Sequence, residues 1–252
     1  MSDRDLAWRV EETCHNAWPG LRQVMVGDWV LRFADGVSRR ANSANPLHAQ
    51  AGDLDAVIAV CRDLFPAQGR PVLFRIPSLL DPAVDAHLAS LGYTDEGETR
   101  TLYADMTALP SAEDPEIEIA PRPTPDWLAA MMAAQGWSAA DGETYGRIVG
   151  SIVIPAAFVG LRVDGQLAAL TYGAVHDRLL CFESVITAEA FRGRGFARRM
   201  LTAIFAWGRS AGAEGACLQV EATNDPAVAL YTGLGLKTEL YRYHYRRAPK
   251  GL

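Results

Sequence analysis

The segment Arg192-Gly193-Arg194-Gly195-Phe196-Ala197 is the densest chemical signal in the chain. It follows the apolar, β-branched stretch 179–187 and precedes Phe196, Met200, Leu201, Ile204 and Phe205, which recur at helical steps until Gly208 and Gly212. A helix starting there leaves backbone N–H groups unpaired at its positive end. Phosphate or pyrophosphate can dock on them if no side chain blocks the approach, and Gly193 and Gly195 remove that block. A dinucleotide fingerprint would need a third glycine where Arg198 stands, and a Walker A loop would need Gly-Lys-Ser/Thr, which is absent. An ordinary glycine-rich turn is the plainer reading of the hexapeptide taken alone.

The rest of the second half supplies the frame. Residues 116–119 alternate as a strand, Thr124-Pro125 caps and opens a helix bearing Leu128, Met131 and Met132, and a further helix is expected near 140–152. Strands at 157–163 and 167–175 join through Asp164-Gly165, and His176-Asp177-Arg178 turns the chain into the strand before the loop. Residues 216–221 form the next strand, Asn224-Asp225-Pro226 starts a helix closed by Gly235, and 239–246 alternates Tyr241, Tyr243 and Tyr245 as a closing strand.

The first half runs in the same order. A helix over 6–21 ends at Trp18-Pro19-Gly20. A hairpin is expected from residues 29–33 and 37–42 around Asp35-Gly36, followed by an amphipathic helix from Leu54 to Leu64, a strand at 71–76, a short helix after Asp81-Pro82, and a strand at 99–106. Asp81-Pro82-Ala83-Val84 matches Asp225-Pro226-Ala227-Val228, so the order of elements and this tetrapeptide indicate an internal repeat. A polar, proline-bearing stretch around 108–115 marks the expected boundary, dividing the chain into domains 1–112 and 113–252. At the position equivalent to the glycine loop stands His48-Ala49-Gln50-Ala51-Gly52-Asp53, with no arginine and an aspartate that would repel phosphate.

Arg-x-x-Gly-x-Ala over 192–197 and Asn-x-x-Ala-x-x-Leu-Tyr-x-x-Leu-Gly over 224–235 together resemble the two signature motifs of the GNAT acetyltransferase superfamily. The pairing with a degenerate first copy looks like the tandem GNAT proteins. The resemblance implies an α/β fold of two GNAT-like domains, each a mostly antiparallel splayed sheet flanked by helices, with acetyl-CoA wedged between the strands at 179–187 and 216–221. By the same resemblance, main-chain groups near Val185 and Thr187 pair with the pantetheine arm, and Arg192, Gly193, Arg194, Gly195, Phe196 and Ala197 hold the pyrophosphate. The side chains of Arg194, Arg198 and Arg199 either add phosphate contacts or belong to a solvated helix face. Asn224 caps its helix or contacts the pantetheine, and Tyr231 is the acid that protonates the departing sulfur. Glu183 is the candidate base, with Glu221 the alternative; Trp137, with Gln135 and Tyr145, falls where related domains shape the acceptor pocket. The implied activity is transfer of an acetyl group to a primary amine, a small amine ahead of a protein. An acyl-CoA-binding regulatory module without turnover is the alternative.

Bulk composition fits this reading. Lys and Arg total 24 against 30 Asp and Glu, a net charge of -6, so neither nucleic acid nor an anionic membrane is an expected partner. Cys14, Cys61, Cys181 and Cys217 are widely spaced with no Cys-x-x-Cys pair, which reads as buried reduced thiols without metal. The charged start Met-Ser-Asp-Arg-Asp lacks the apolar core of a signal peptide, so a cytoplasmic protein is expected.

Overall fold

The computed structural model of the chain describes residues 3–36 and 38–249. Helix α1 (Asp3–Ala17) leads into β1 (Arg22–Val26) and β2 (Trp29–Phe33), then β3 (Ala44–Pro46), α2 (Leu54–Ala67), β4 (Leu73–Pro77), α3 (Pro82–Ser90) and β5 (Thr94–Asp105). The second half comprises β6 (Ile117–Ala120), α4 (Pro125–Gln135), α5 (Ala139–Gly150), β7 (Ala156–Val163), β8 (Gln166–His176) and β9 (Leu179–Thr187). It closes with α6 (Phe196–Ser210), β10 (Gly215–Glu221), α7 (Asp225–Leu234) and β11 (Thr238–Arg247).

All these strands share one mixed sheet, in the order β1-β2-β3-β4-β11-β5-β10-β9-β8-β7-β6. The repeat is visible in it: β4, α3 and β5 follow one another as β10, α7 and β11 do. The closing strands, however, are exchanged, since β5 lies against β10 and β11 against β4, and the two also pair with each other. The expected division near residue 112 falls between β5 and β6, while the sheet runs unbroken from one half into the other.

Because strand side chains alternate between faces, β9 sends Leu180 and Phe182 into one core and Leu179 and Cys181 into another. The first lies beneath α6 and α7, the second beneath α1, α4 and α5. A third core fills the first half beneath α2 and α3. Helix α6 runs past Gly208 instead of ending there: a Cβ at Gly208 would meet Leu180 Cδ2 at 2.8 Å, so this glycine lets the helix approach the sheet, and Gly212 (φ +86°) makes the stop.

The expected first hairpin is displaced. Strand β2 pairs with β1 across Gly27-Asp28, whereas residues 38–42 are not a strand and Val37 lies outside the described residues. Four of the five β1 residues are exposed, which erases the apolar alternation that marks a strand in sequence. The other turn holds: Asp164 and Gly165 have φ of 49° and 79°, as a tight hairpin requires.

Candidate active site

Strands β9 and β10 run parallel and pair only from Leu179↔Gly215 to Cys181↔Cys217. Both continue, to Thr187 and Glu221, without pairing further. Their outer neighbours hold them apart, β8 on one side and β5 on the other, so the inner edges beyond Cys181 and Cys217 face a wedge-shaped gap. Val185 and Thr187 lie half-buried on the free stretch of β9. Within it the register to β8 slips between Glu183 and Ile186, and Ser184 takes φ +55°. Such a bulge re-aims backbone groups beside a cleft.

The glycine loop closes the far end of the gap. Gly193 (φ +75°) and Gly195 (φ +78°) are needed for their backbone conformation, and a Cβ on either would meet no atom within 4 Å. Gly195 is the N-cap of α6 and offers no side chain, so no side chain takes the N–H groups of the first turn. Phe196 is buried beneath the helix start and Ala197 is half-buried. The arginines divide: Arg192 donates to the Thr187 carbonyl (3.2 Å) and Arg194 lies over the rings of Phe191 and Phe196 (5.7 and 4.9 Å). Arg198 donates to the Gly233 carbonyl (3.1 Å), while Arg199 is ion-paired with Asp114 and Glu116 on the outer face of the helix.

Asn224 is the N-cap of α7, its Oδ1 accepting from Ala227 N at 3.3 Å. One turn further into that helix, Tyr231 is 7% exposed and packs edge-on against Phe182, ring centroids 5.8 Å apart. Burial, and then the charge of Glu183, hold its phenol well above the ordinary range, so it keeps its proton at neutral pH.

Glu183 lies on the opposite face of β9 and is 6% exposed. Both its oxygens accept from Arg40, at 2.6 and 2.8 Å, and Arg40 also donates to Gln219 Oε1 (3.1 Å) and stands 5.0 Å from the Trp18 ring. Burial alone would lower the Arg40 pKa, but the Glu183 carboxylate raises it well above its usual value, so the guanidinium stays charged. Glu221, exposed at the end of β10, accepts from the neighbouring Arg39 at 3.2 Å. Consecutive arginines of the first half thus hold both candidate bases of the second. No local pattern announces pairs 143 and 182 residues apart. His176 bonds Glu12 at 3.0 Å, away from the gap.

Beside Glu183 a pocket of about 230 Å³ is walled by Trp18, Trp137 and Tyr145 and rimmed by Asp35 and Asp141. The Tyr145 ring is tilted by 50° against both Trp137 (centroids 4.8 Å apart) and Trp18 (5.8 Å), and its buried hydroxyl faces Ser184 without a formed hydrogen bond. Gln135 is exposed and does not line it. Trp18 and Asp35 belong to the first half, a contribution the sequence did not signal.

The corresponding loop of the first half is closed chemically. The Asp53 side chain accepts from Ala56 N (3.1 Å) and caps α2, and the adjoining cleft of about 1340 Å³ is lined by the carboxylates of Asp81, Asp105 and Glu239. Both features disfavour a phosphate.

Comparison with known proteins agrees with this geometry. The family described as "Probable histone acetyltransferase Rv0428c C-terminal" matches residues 8–246. The "Uncharacterized N-acetyltransferase YobR" of Bacillus subtilis (strain 168) is 25% identical over 243 residues, 94% of this chain and 97% of that protein. Among solved structures, a GCN5-related N-acetyltransferase from Kribbella flavida superposes with a TM-score of 0.70 at 20% identity, covering 99% of this chain and 96% of its own. A tandem GNAT protein from the clavulanic acid biosynthesis pathway gives a TM-score of 0.66 at 15% identity, covering 96% and 88%.

Proposed function

Because the chain belongs to the Rv0428c C-terminal family, and with it to the GNAT acetyltransferases, we propose that the gap between β9 and β10 takes acetyl-CoA and that a primary amine attacks its thioester there. The observation that carries this reading is the end of pairing at Cys181 and Cys217 while both strands run on, next to a helix start that no side chain caps. The free β9 edge at Val185 and Thr187 offers a strand-like partner for the pantetheine amides. The first turn of α6, with Arg192 and Arg194 at its mouth, offers N–H groups and positive charge for the pyrophosphate. Asn224 remains principally the cap of α7.

Attack requires that nitrogen lose a proton, that the developing oxyanion be stabilised, and that the thiolate leave protonated. The amine enters from the Trp137 and Tyr145 side and gives one proton to solvent there, so that it reaches the thioester as the neutral nucleophile, with Glu183 held in place by Arg40. As the C–N bond forms the nitrogen becomes strongly acidic, and its proton passes to Glu183. The bulge at Ser184 aims backbone N–H groups towards the carbonyl oxygen. Tyr231, kept neutral by its surroundings, gives its proton to the sulfur as the C–S bond breaks. The aromatic pocket with its acidic rim suits a small amine. Nothing in the reading calls on nucleic acid or membrane, and no helix among the described residues is long and apolar enough to cross one.

The test is CoA release from acetyl-CoA across a panel of small amines, run beside calorimetric binding. Amine-dependent release supports the reading. Tight acetyl-CoA binding with no release across the panel overturns it in favour of a binding module.

A further inference from the structure

Cys14, Cys181 and Cys217 are scattered in sequence but converge in space. Their sulfurs all lie within 4.8 Å of one another, with Cys181 Sγ 3.6 Å from Cys14 Sγ, and all three are buried free thiols. They come from three elements: α1, β9 and β10. Cys181 and Cys217 form the last paired rung before the strands part, and Cys14 covers that rung from the α1 side. Cys61, the remaining cysteine, is buried in the separate core of the first half. The proposed acyl transfer uses none of these sulfurs.

We propose that Cys14, Cys181 and Cys217 form a site for one thiophilic d10 cation, Zn²⁺ or Cu⁺. The spacing matches the chemistry. Thiolates about 2.3 Å from a tetrahedral zinc stand about 3.8 Å apart, which the 3.6 Å contact already approaches and the 4.8 Å limit reaches with small side-chain rotations. Soft sulfur ligands select these ions over magnesium, calcium or manganese. Three thiolates satisfy Cu⁺, and zinc would complete its four-coordinate shell with a water; Glu183, although 3.9 Å from Cys181 Sγ, has both oxygens held by Arg40 and stays outside the set. Each thiol gives up its proton on coordination, so three protons go to solvent per ion bound and affinity rises with pH. A bound ion ties α1 to both strands at the apex of the gap, and its occupancy therefore stabilises the fold and fixes how far β9 and β10 diverge.

The site is enclosed, so the reduced full chain is loaded in two ways: by adding one equivalent of Zn²⁺ or Cu⁺ to native protein, and by refolding from denaturant with the ion present. Metal content after gel filtration through a weak chelator is read by mass spectrometry. Co²⁺ is used as a spectroscopic stand-in whose thiolate charge-transfer absorption reports sulfur ligation. One retained ion per chain, thiolate absorption with Co²⁺, a raised melting temperature, and at least tenfold weaker retention in Cys14→Ala and Cys217→Ser but not in Cys61→Ser support the proposal. Failure of wild-type protein to retain either ion by either route overturns it, and so does equal retention by the Cys14 variant. All these readouts are independent of acetyl transfer, so a failed activity assay and a failed metal site are distinguishable.

Discussion

At the start of α2 the carboxylate of Asp53 takes the Ala56 N–H, whereas at the start of α6 Gly195 has no side chain to offer and the first-turn amides stay available. Both helices follow a strand whose only parallel contact is brief, one pair between β3 and β4 and three between β9 and β10. The scaffold is shared, and the chemistry parts at one residue. A helix start can be stabilised by its own cap or left open for an external anion, because the same N–H groups serve both uses. The first half is capped and ringed with carboxylates; the second is open and flanked by arginines.

The sharpest way to break this contrast is to write the first half's solution into the second. Gly195→Asp would supply a competing carboxylate and strain a backbone at φ +78°. Loss of two charge-assisted hydrogen bonds at about 2 kcal/mol each predicts acetyl-CoA binding about a thousandfold weaker by calorimetry, with the thermal melt confirming a folded chain. Binding within tenfold of the parent would remove the anion site from α6. Next in size, Tyr231→Phe keeps the packing on Phe182 and removes only the proton donor. A fall in kcat of about a hundredfold is expected, with acetyl-CoA affinity within about twofold. A collapse in affinity would instead make Tyr231 a binding residue.

Much of this contrast was legible in the amino acids. Glycine spacing, helix caps and the Asp-Pro-Ala-Val repeat are local signals, and they place α3, α6, α7 and their strands within a few residues of where they fold. The two copies of the tetrapeptide differ in one detail: α7 is capped by Asn224, as its sequence allowed, and begins at Asp225, whereas in α3 Asp81 is itself the cap. What could not be read is whatever depends on partners far along the chain. The exchange of β5 and β11 leaves each strand's own pattern unchanged, because either neighbour buries the same faces. Arg39 and Arg40 look like ordinary loop charges until folding carries them to Glu221 and Glu183. The hairpin around Gly27-Asp28 was hidden by an exposed edge strand, and Asp35-Gly36 offered a false match of the same type.

A third test concerns the seam between the halves. Helix α1 from the first half lies under β8, β9 and β10 of the second, and its buried Glu11 pairs with Arg75 of β4 and accepts from the Tyr241 hydroxyl of β11. His15, one turn along, is pushed down to about 4 by burial and by the nearby Arg32. Its folded value lies below the unfolded reference near 6.5, so the unfolded chain binds the extra proton first. The contribution is complete above that reference and is lost as pH falls towards 4. Between pH 7.5 and pH 5 denaturant melts should show a loss of about 2 kcal/mol that His15→Gln largely abolishes. Equal slopes in the two proteins would remove His15 from the seam's pH response.

The smallest effect probes the contrast from the other side. Asp53→Ala strips the cap from α2 and should cost about 1 kcal/mol of stability, read from a denaturant midpoint. Acetyl-CoA binding and turnover should not change, because the loop before the amides it frees borders a cleft that carries Asp81, Asp105 and Glu239, with no arginine at 48–53 to receive a phosphate. A second equivalent of acetyl-CoA bound by Asp53→Ala would mean that a single cap, and not the accumulated charge around it, separates the two halves. The expected silence of this variant, set against the thousandfold loss in Gly195→Asp, follows from electrostatics: one carboxylate is enough to close an anion site, but removing one does not reopen a site that keeps other carboxylates along its cleft and has no arginine in its loop.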